Sequence, residues 1–361
     1  MTSTMQALRN AGQSLWLDNI THGLLGSGQL ARYISTASIT GLTSNPTIFA
    51  HAMTGSSQYD QTMHRLGSAG LAGENLFFEL ALQDLRAAAA LFHPVFLATD
   101  GVDGWVSLEI SPLLADDDVA SLHAAAQLDA RAQCPNLFIK IPGTRAGLLA
   151  IEQSIVDGVP INVTLLFSCT QWQAAAEAYM CALERRLALG LDLRVSSVAS
   201  VFISRWDVAV ATDVAPMLHN RLGIAMAKRC YRAYHEMLAS TRWRRLAAAG
   251  ARPQRLLWAS TGTKDPTARD TLYLETLVAA DTINTVPEQT LLAYIDHGRA
   301  GPALADDGGD AEAEIALFEH AGIDIEALAT RLQREGVQTF AKSWAALLCA
   351  LEQKNRVNTA R

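Results

Sequence analysis

Eight short apolar segments recur along the chain with longer helical patterns between them, and this alternation limits the fold more than any other feature. The segments are 14–20 (SLWLDNI), 38–46 (SITGLTSNP), 104–110 (GWVSLEI), 136–142 (NLFIKIP), 159–167 (VPINVTLLF), 194–202 (RVSSVASVF), 255–261 (RLLWAST) and 282–287 (TINTVP). Between them, 73–92, 116–132, 144–158, 170–190 and 220–240 carry apolar residues at three- and four-residue spacing, the mark of an amphipathic helix. Buried strands separated by crossover helices form an α/β sheet, and eight of them predict a closed (β/α)8 TIM barrel.

The flanking sequence predicts additional N- and C-terminal helices on one barrel domain spanning 1–361. A helix is expected over 1–13, an acidic Gly/Asp loop over 298–314, and helices over 315–356 packed on the barrel, divided after Gly336. At 50% hydrophobic and 18% charged residues the chain can bury a large core. A formal charge of −7 argues against nonspecific nucleic-acid binding but leaves room for a local phosphate pocket. The opening stretch lacks the apolar core of a signal peptide, and no apolar run reaches membrane-spanning length. Cys134, Cys169, Cys181, Cys230 and Cys349 are scattered and lack CxxC spacing. Reduced thiols are expected, with neither a disulfide frame nor a zinc site, which together predict a cytoplasmic protein without a membrane partner.

Polar residues fall near the ends of these strands: Asp18, Thr43 with Asn45, Glu109, Lys140, Asn162 with Thr164, Ser200, Ser260 and Asn284. In a (β/α)8 barrel those ends converge on the face that carries catalysis. Lys140 is one of five lysines among 29 basic residues, and it stands between Ile139 and Ile141. Such a lysine either snorkels, pairs with Glu109 or Asp18, or serves as an amine nucleophile. The third role needs a neutral amine, which desolvation between apolar walls favours. It also needs acid/base partners, for which Glu109 and Asp18 are the candidates.

Seen together, GLTSNPTIF (41–49), NLFIKIPGT (136–144), PINVTLLFS (160–168), VASVFISRWD (198–207), TGTKDP (261–266) and DTINTVPEQTL (281–291) resemble the transaldolase family over most of the chain. The resemblance implies a metal-free enzyme without a cofactor, acting on sugar phosphates as a monomer or homodimer. It would move a dihydroxyacetone unit from sedoheptulose 7-phosphate to glyceraldehyde 3-phosphate, a step of the non-oxidative pentose phosphate pathway. Lys140 would form the Schiff base. Glu109 would assist carbinolamine dehydration through a water held with Thr164, and Asp18 would take the C4 hydroxyl proton. Thr43, Asn45, Asn162, Thr164, Ser200 and Phe202 would bind the sugar, and Arg205, Ser260 and Lys264 its phosphate.

Related fructose-6-phosphate aldolases carry Gln in place of Glu109 and Tyr in place of Phe202, so the residues present here favour transfer over simple cleavage. GSGQLA (26–31) fits a dinucleotide-binding turn only loosely, because about six residues separate it from the preceding strand and the next strand ends without an acidic residue. The nine histidines share no metal-ligand spacing. A barrel that had lost catalysis would serve only in binding, but Lys140, Glu109 and Asp18 are all present.

Overall fold

Eight parallel strands close into a barrel in strict chain order, in a computed structural model that describes residues 3–359. They are β1 (Ser14–Asp18), β2 (Ile39–Thr43), β3 (Val106–Glu109), β4 (Leu137–Pro142), β5 (Ile161–Leu166), β6 (Ser197–Phe202), β7 (Arg255–Ala259) and β8 (Ile283–Val286), with β8 paired back onto β1. Each expected strand is present, and the (β/α)8 barrel with extra helices is the observed fold.

Side chains alternate between the barrel interior and the helical shell, with a period of two. The inward set of the lower layer is apolar: Trp16, Phe138, Val198, Leu257 and Ile283 share one buried cluster. Gly41 supplies the space for the Trp16 ring, since a Cβ there would sit 2.5 Å from it. Asp103 anchors this floor by accepting from Trp16 Nε1 at 2.7 Å and from the Ser14 hydroxyl. One step higher, the inward positions become Asp18, Thr43, Glu109, Lys140 and Ser200. The registers Asp18–Thr43, Glu109–Lys140 and Lys140–Asn162 set several of these side by side. An apolar floor beneath a polar mouth is therefore built into the strand periodicity.

The additions differ in detail from the sequence expectation. The N-terminal helix covers Ser3–Asn10 rather than 1–13, because Gly12 turns the chain at φ +77 and the Gln13 amide then bonds Leu277 O at 2.6 Å. Residues 1–2 of that expected helix lie outside the described residues. The acidic loop stops at Asp310, since Glu312 and Glu314 occupy the first turn of a helix over Ala311–His320. There they complement the positive helix end and pair with Arg229 and Arg221.

The last helix runs unbroken over Ile325–Thr359, so the break falls at Gly322 (φ +90) and not at Gly336. It packs on the helices Pro46–Thr54 and Asp60–Ser68 and reaches β5. Hydrogen bonds from Thr47 to Ser343 (2.9 Å), Trp344 to Glu74 (2.7 Å) and Lys354 to Ser56 O (2.7 Å) hold it there. The glycines of 26–31 join two short helices, His22–Gly26 and Gln29–Thr36, rather than a strand and a helix, which removes the dinucleotide-turn reading. Among the described residues no helix is long and apolar enough to cross a membrane.

Candidate active site

Lys140 is the fourth residue of β4, a strand buried along its whole length. Period-two alternation sends Phe138 and Lys140 inward, while Ile139 and Ile141 join the outer core against the helices. The apolar flanks therefore do not wall the amine, which corrects the sequence argument. Its actual surroundings are polar: Nζ donates to Ser44 O at 2.8 Å and lies 3.1 Å from Glu109 Oε2. Ser44 is held in turn by its hydroxyl, which donates to Ser107 O at 2.7 Å. Lys140 is only 5% exposed, so desolvation comes from depth in the barrel mouth.

Asp18 closes the other side. Its Oδ1 accepts from Thr43 Oγ1 at 2.7 Å, and Thr43 Oγ1 is 2.6 Å from Thr285 Oγ1. Burial pushes the Asp18 carboxyl above the usual carboxylate range, opposed by the Thr43 hydrogen bond and the charges of Lys140 and Lys264. Burial also raises Glu109, against the pull of the Lys140 ammonium. Two carboxyls raised by desolvation beside one amine are suited to passing protons. Neither Glu109 oxygen nor Thr164 Oγ1 has a hydrogen-bond partner, although all three are buried. The Lys140–Glu109 contact is an ion pair rather than a well-directed hydrogen bond.

Asp18 and Lys140 face a cavity of about 110 Å³. Asp18, Thr43, Asn45, Lys140, Thr164, Ser200, Phe202, Arg205 and Ser260 all line it. Asn45 has a second duty, because its Oδ1 accepts from Ile48 N at 3.0 Å and caps the helix that begins at Pro46. Arg205 is the second residue of the short helix Ser204–Val210, with its guanidinium carbon 5.0 Å from the Phe202 ring centroid. Burial lowers its pKa, against the charges of Glu109 and Glu335. Ser260 adopts φ +56 beside it, its hydroxyl 3.0 Å from that of Ser204.

Three expected residues stand back from the cavity wall. Glu109 is not a lining residue and meets the cavity through Lys140, 3.1 Å away. Asn162 lies beneath Ser200, whose hydroxyl donates to Asn162 Oδ1 at 2.7 Å, and its amide reaches Ser107 Oγ at 3.3 Å. Lys264 is exposed on the loop after β7, and it reaches Asp18 through its charge alone. Asn284, also placed in the polar ring by sequence, is the second residue of β8, and both polar atoms of its side chain are buried without partners. Its neighbour Thr285 lines the cavity instead. Phe340 of the last helix completes the wall and was not foreseen, because an apolar residue in a helical pattern reads as packing. Among the described residues no group of three or more His, Cys, Asp or Glu side chains could hold a metal ion.

Residues 15–351 match the family described as Transaldolase/Fructose-6-phosphate aldolase. The chain is 42% identical to a protein of Thermobifida fusca named Transaldolase, over 99% of this chain and 100% of that one. It is 43% identical to the Transaldolase of Thiobacillus denitrificans, over 94% and 97% of the two chains. The Transaldolase of Acidothermus cellulolyticus is 42% identical, over 97% and 96%.

Proposed function

The chain belongs to the transaldolase/fructose-6-phosphate aldolase family and acts as a transaldolase, and we propose that Lys140 carries the three-carbon unit as an imine. The observation behind this reading is the buried lysine on the cavity wall, with Glu109 at 3.1 Å and Asp18 on the same cavity. The Lys140 amine adds to C2 of the ketose phosphate, a proton reaches the carbinolamine oxygen, and water leaves to give the protonated imine. Glu109 moves that proton through a water shared with Thr164, which suits two buried groups whose side-chain oxygens lack partners. Asp18 then takes the C4 hydroxyl proton. The C3–C4 electron pair flows into the imine, an aldose phosphate departs, and an enamine stays on Lys140. The steps reverse onto a new aldehyde, so that sedoheptulose 7-phosphate and glyceraldehyde 3-phosphate become erythrose 4-phosphate and fructose 6-phosphate.

Asn45, Asn162, Ser200 and Thr43 hold the hydroxyls of the bound unit in this reading. Arg205 with Ser260 receives the phosphate, and Lys264 adds longer-range attraction from its loop. The absence of a donor hydroxyl on Phe202 leaves the enamine unprotonated until an acceptor arrives, which favours transfer over aldol cleavage. The five free thiols suit a reducing cytoplasm. Borohydride reduction in the presence of fructose 6-phosphate tests the central claim. A three-carbon adduct on Lys140 is expected; an adduct that persists in Lys140→Met would place the chemistry elsewhere.

A further inference from the structure

One face of the C-terminal helix reaches into the phosphate end of the cavity. Gln333, Gly336 and Phe340 follow one another at three- and four-residue spacing, so they share a face of Ile325–Thr359. The Gln333 amide donates to Gly143 O and Leu165 O, both at 3.0 Å. Leu165 sits where β5 slips register against β6, at φ +57, and its carbonyl is turned from the strand ladder toward this helix. A Cβ on Gly336 would stand 2.9 Å from Leu165 Cδ2 and 3.2 Å from Arg205 Nη1. Phe340 lines the cavity, and its ring centroid is 5.7 Å from the Arg205 guanidinium carbon.

Arg205 thus lies over two rings, 5.0 Å from that of Phe202 at the strand end and 5.7 Å from that of Phe340 on the helix. A guanidinium that packs over aromatic rings keeps its N–H donors available for a phosphate. We propose that Gln333, Gly336 and Phe340 are positioning residues for substrate phosphate: Phe340 orients Arg205, Gly336 leaves the space it occupies, and Gln333 fixes how close the helix comes. This deepens the assignment of Arg205 as the phosphate ligand and rests on it. It also gives a function to a glycine that helix propensity disfavours in a helix interior.

The test compares Phe340→Leu, Gly336→Ala and Arg205→Ala in the full-length enzyme. Gly336→Ala raises intrinsic helix propensity, so a defect there cannot be ascribed to an unfolded helix. For Phe340→Leu and Gly336→Ala, KM for fructose 6-phosphate and Ki for inorganic phosphate are expected to rise together by about 5–20-fold, the scale of a lost cation–π contact. Borohydride trapping of unphosphorylated dihydroxyacetone on Lys140 should change by less than about 2-fold, since that reaction does not use the phosphate site. An unchanged Ki in both helix variants, with Arg205→Ala weakened, overturns the positioning role alone. Trapping that falls in step with phosphate affinity also overturns it, because the helix would then merely support the barrel. An unchanged Ki in Arg205→Ala overturns the phosphate assignment and this inference with it.

Discussion

Lys140 Nζ and Glu109 Oε2 lie 3.1 Å apart on adjacent strands, directly opposite in register, with both side chains almost wholly buried. Carboxylate and ammonium are each costly at that depth, and each offsets the cost of the other. The pair therefore behaves as a unit, and a change to one residue is read through its partner.

Glu109→Gln keeps the shape of the side chain and removes both its negative charge and its capacity to carry a proton. Imine formation should slow by about 10²- to 10⁴-fold, the usual worth of a positioned acid/base. The readout is the single-turnover rate of borohydride-trappable adduct. A rate within threefold of the unmodified enzyme would remove Glu109 from that step.

Asp18→Asn separates bond cleavage from imine formation. Adduct formation on Lys140 should persist, while turnover of fructose 6-phosphate with erythrose 4-phosphate falls by about 10²- to 10⁴-fold. Stability should move the other way. Burial raises the Asp18 pKa in the folded state, so its favourable contribution exists below the unfolded carboxyl value and is lost as pH rises through the folded one. At neutral pH the variant should melt above the natural enzyme, and the gap should close as pH falls. Thermal melts at several pH values measure it; an equal or lower melting temperature at neutral pH would contradict the argument.

Asp207 gives a second pH dependence, away from the reacting atoms. It accepts from Tyr273 Oη at 2.7 Å and from Gly223 N at 3.1 Å, and burial pushes its carboxyl up to about 6. The shift is upward, so the protein loses stability as pH climbs from the ordinary carboxyl value through about 6. The loss is on the order of 2–3 kcal/mol from a shift of this size. Denaturant titrations of the natural protein and Asp207→Asn should differ in slope across that window and run parallel above it. Parallel curves throughout would show that Asp207 does not titrate there.

The barrel was legible because eight apolar segments and the helices between them each carry a strong periodic signal. The site was legible in part, and the reason lies in strand parity. Lys140 does stand on the cavity wall, but its sequence neighbours Ile139 and Ile141 read as walls around the amine, whereas alternation turns both away. In β8, Asn284 and Thr285 offer a polar residue on either parity, and sequence alone favours the more polar Asn284; the inward one is Thr285. Alternation counted from Trp16 and Phe138, whose bulk suits a barrel floor, places Lys140 inward and both isoleucines outward. Phe340 and Gly336 had no local signal at all. Their role exists only because a helix more than 100 residues downstream of Arg205 folds back across β5. Gly336 even pointed the wrong way, since a glycine between helical patterns reads as a break, whereas here it marks close approach to Leu165 and Arg205.

Phe202 tests whether the fate of the enamine is set by one missing hydroxyl. Its ring lines the cavity at the end of β6, beside Arg205 and 5.4 Å from Phe167. Phe202→Tyr would place a phenol at that wall, able to bring a proton to the three-carbon unit on Lys140. Dihydroxyacetone should then be released from fructose 6-phosphate without any acceptor aldehyde, at a rate at least about 10-fold above the natural enzyme. Transfer to erythrose 4-phosphate should fall as release competes for the same enamine. The measurement is free dihydroxyacetone formed with and without acceptor. If acceptor-independent release stays at its original level while transfer is retained, protonation is not what holds the enamine in place. Control would then lie with the Glu109–Asp18 proton system instead, and Glu109→Gln combined with Phe202→Tyr becomes the variant that must show release.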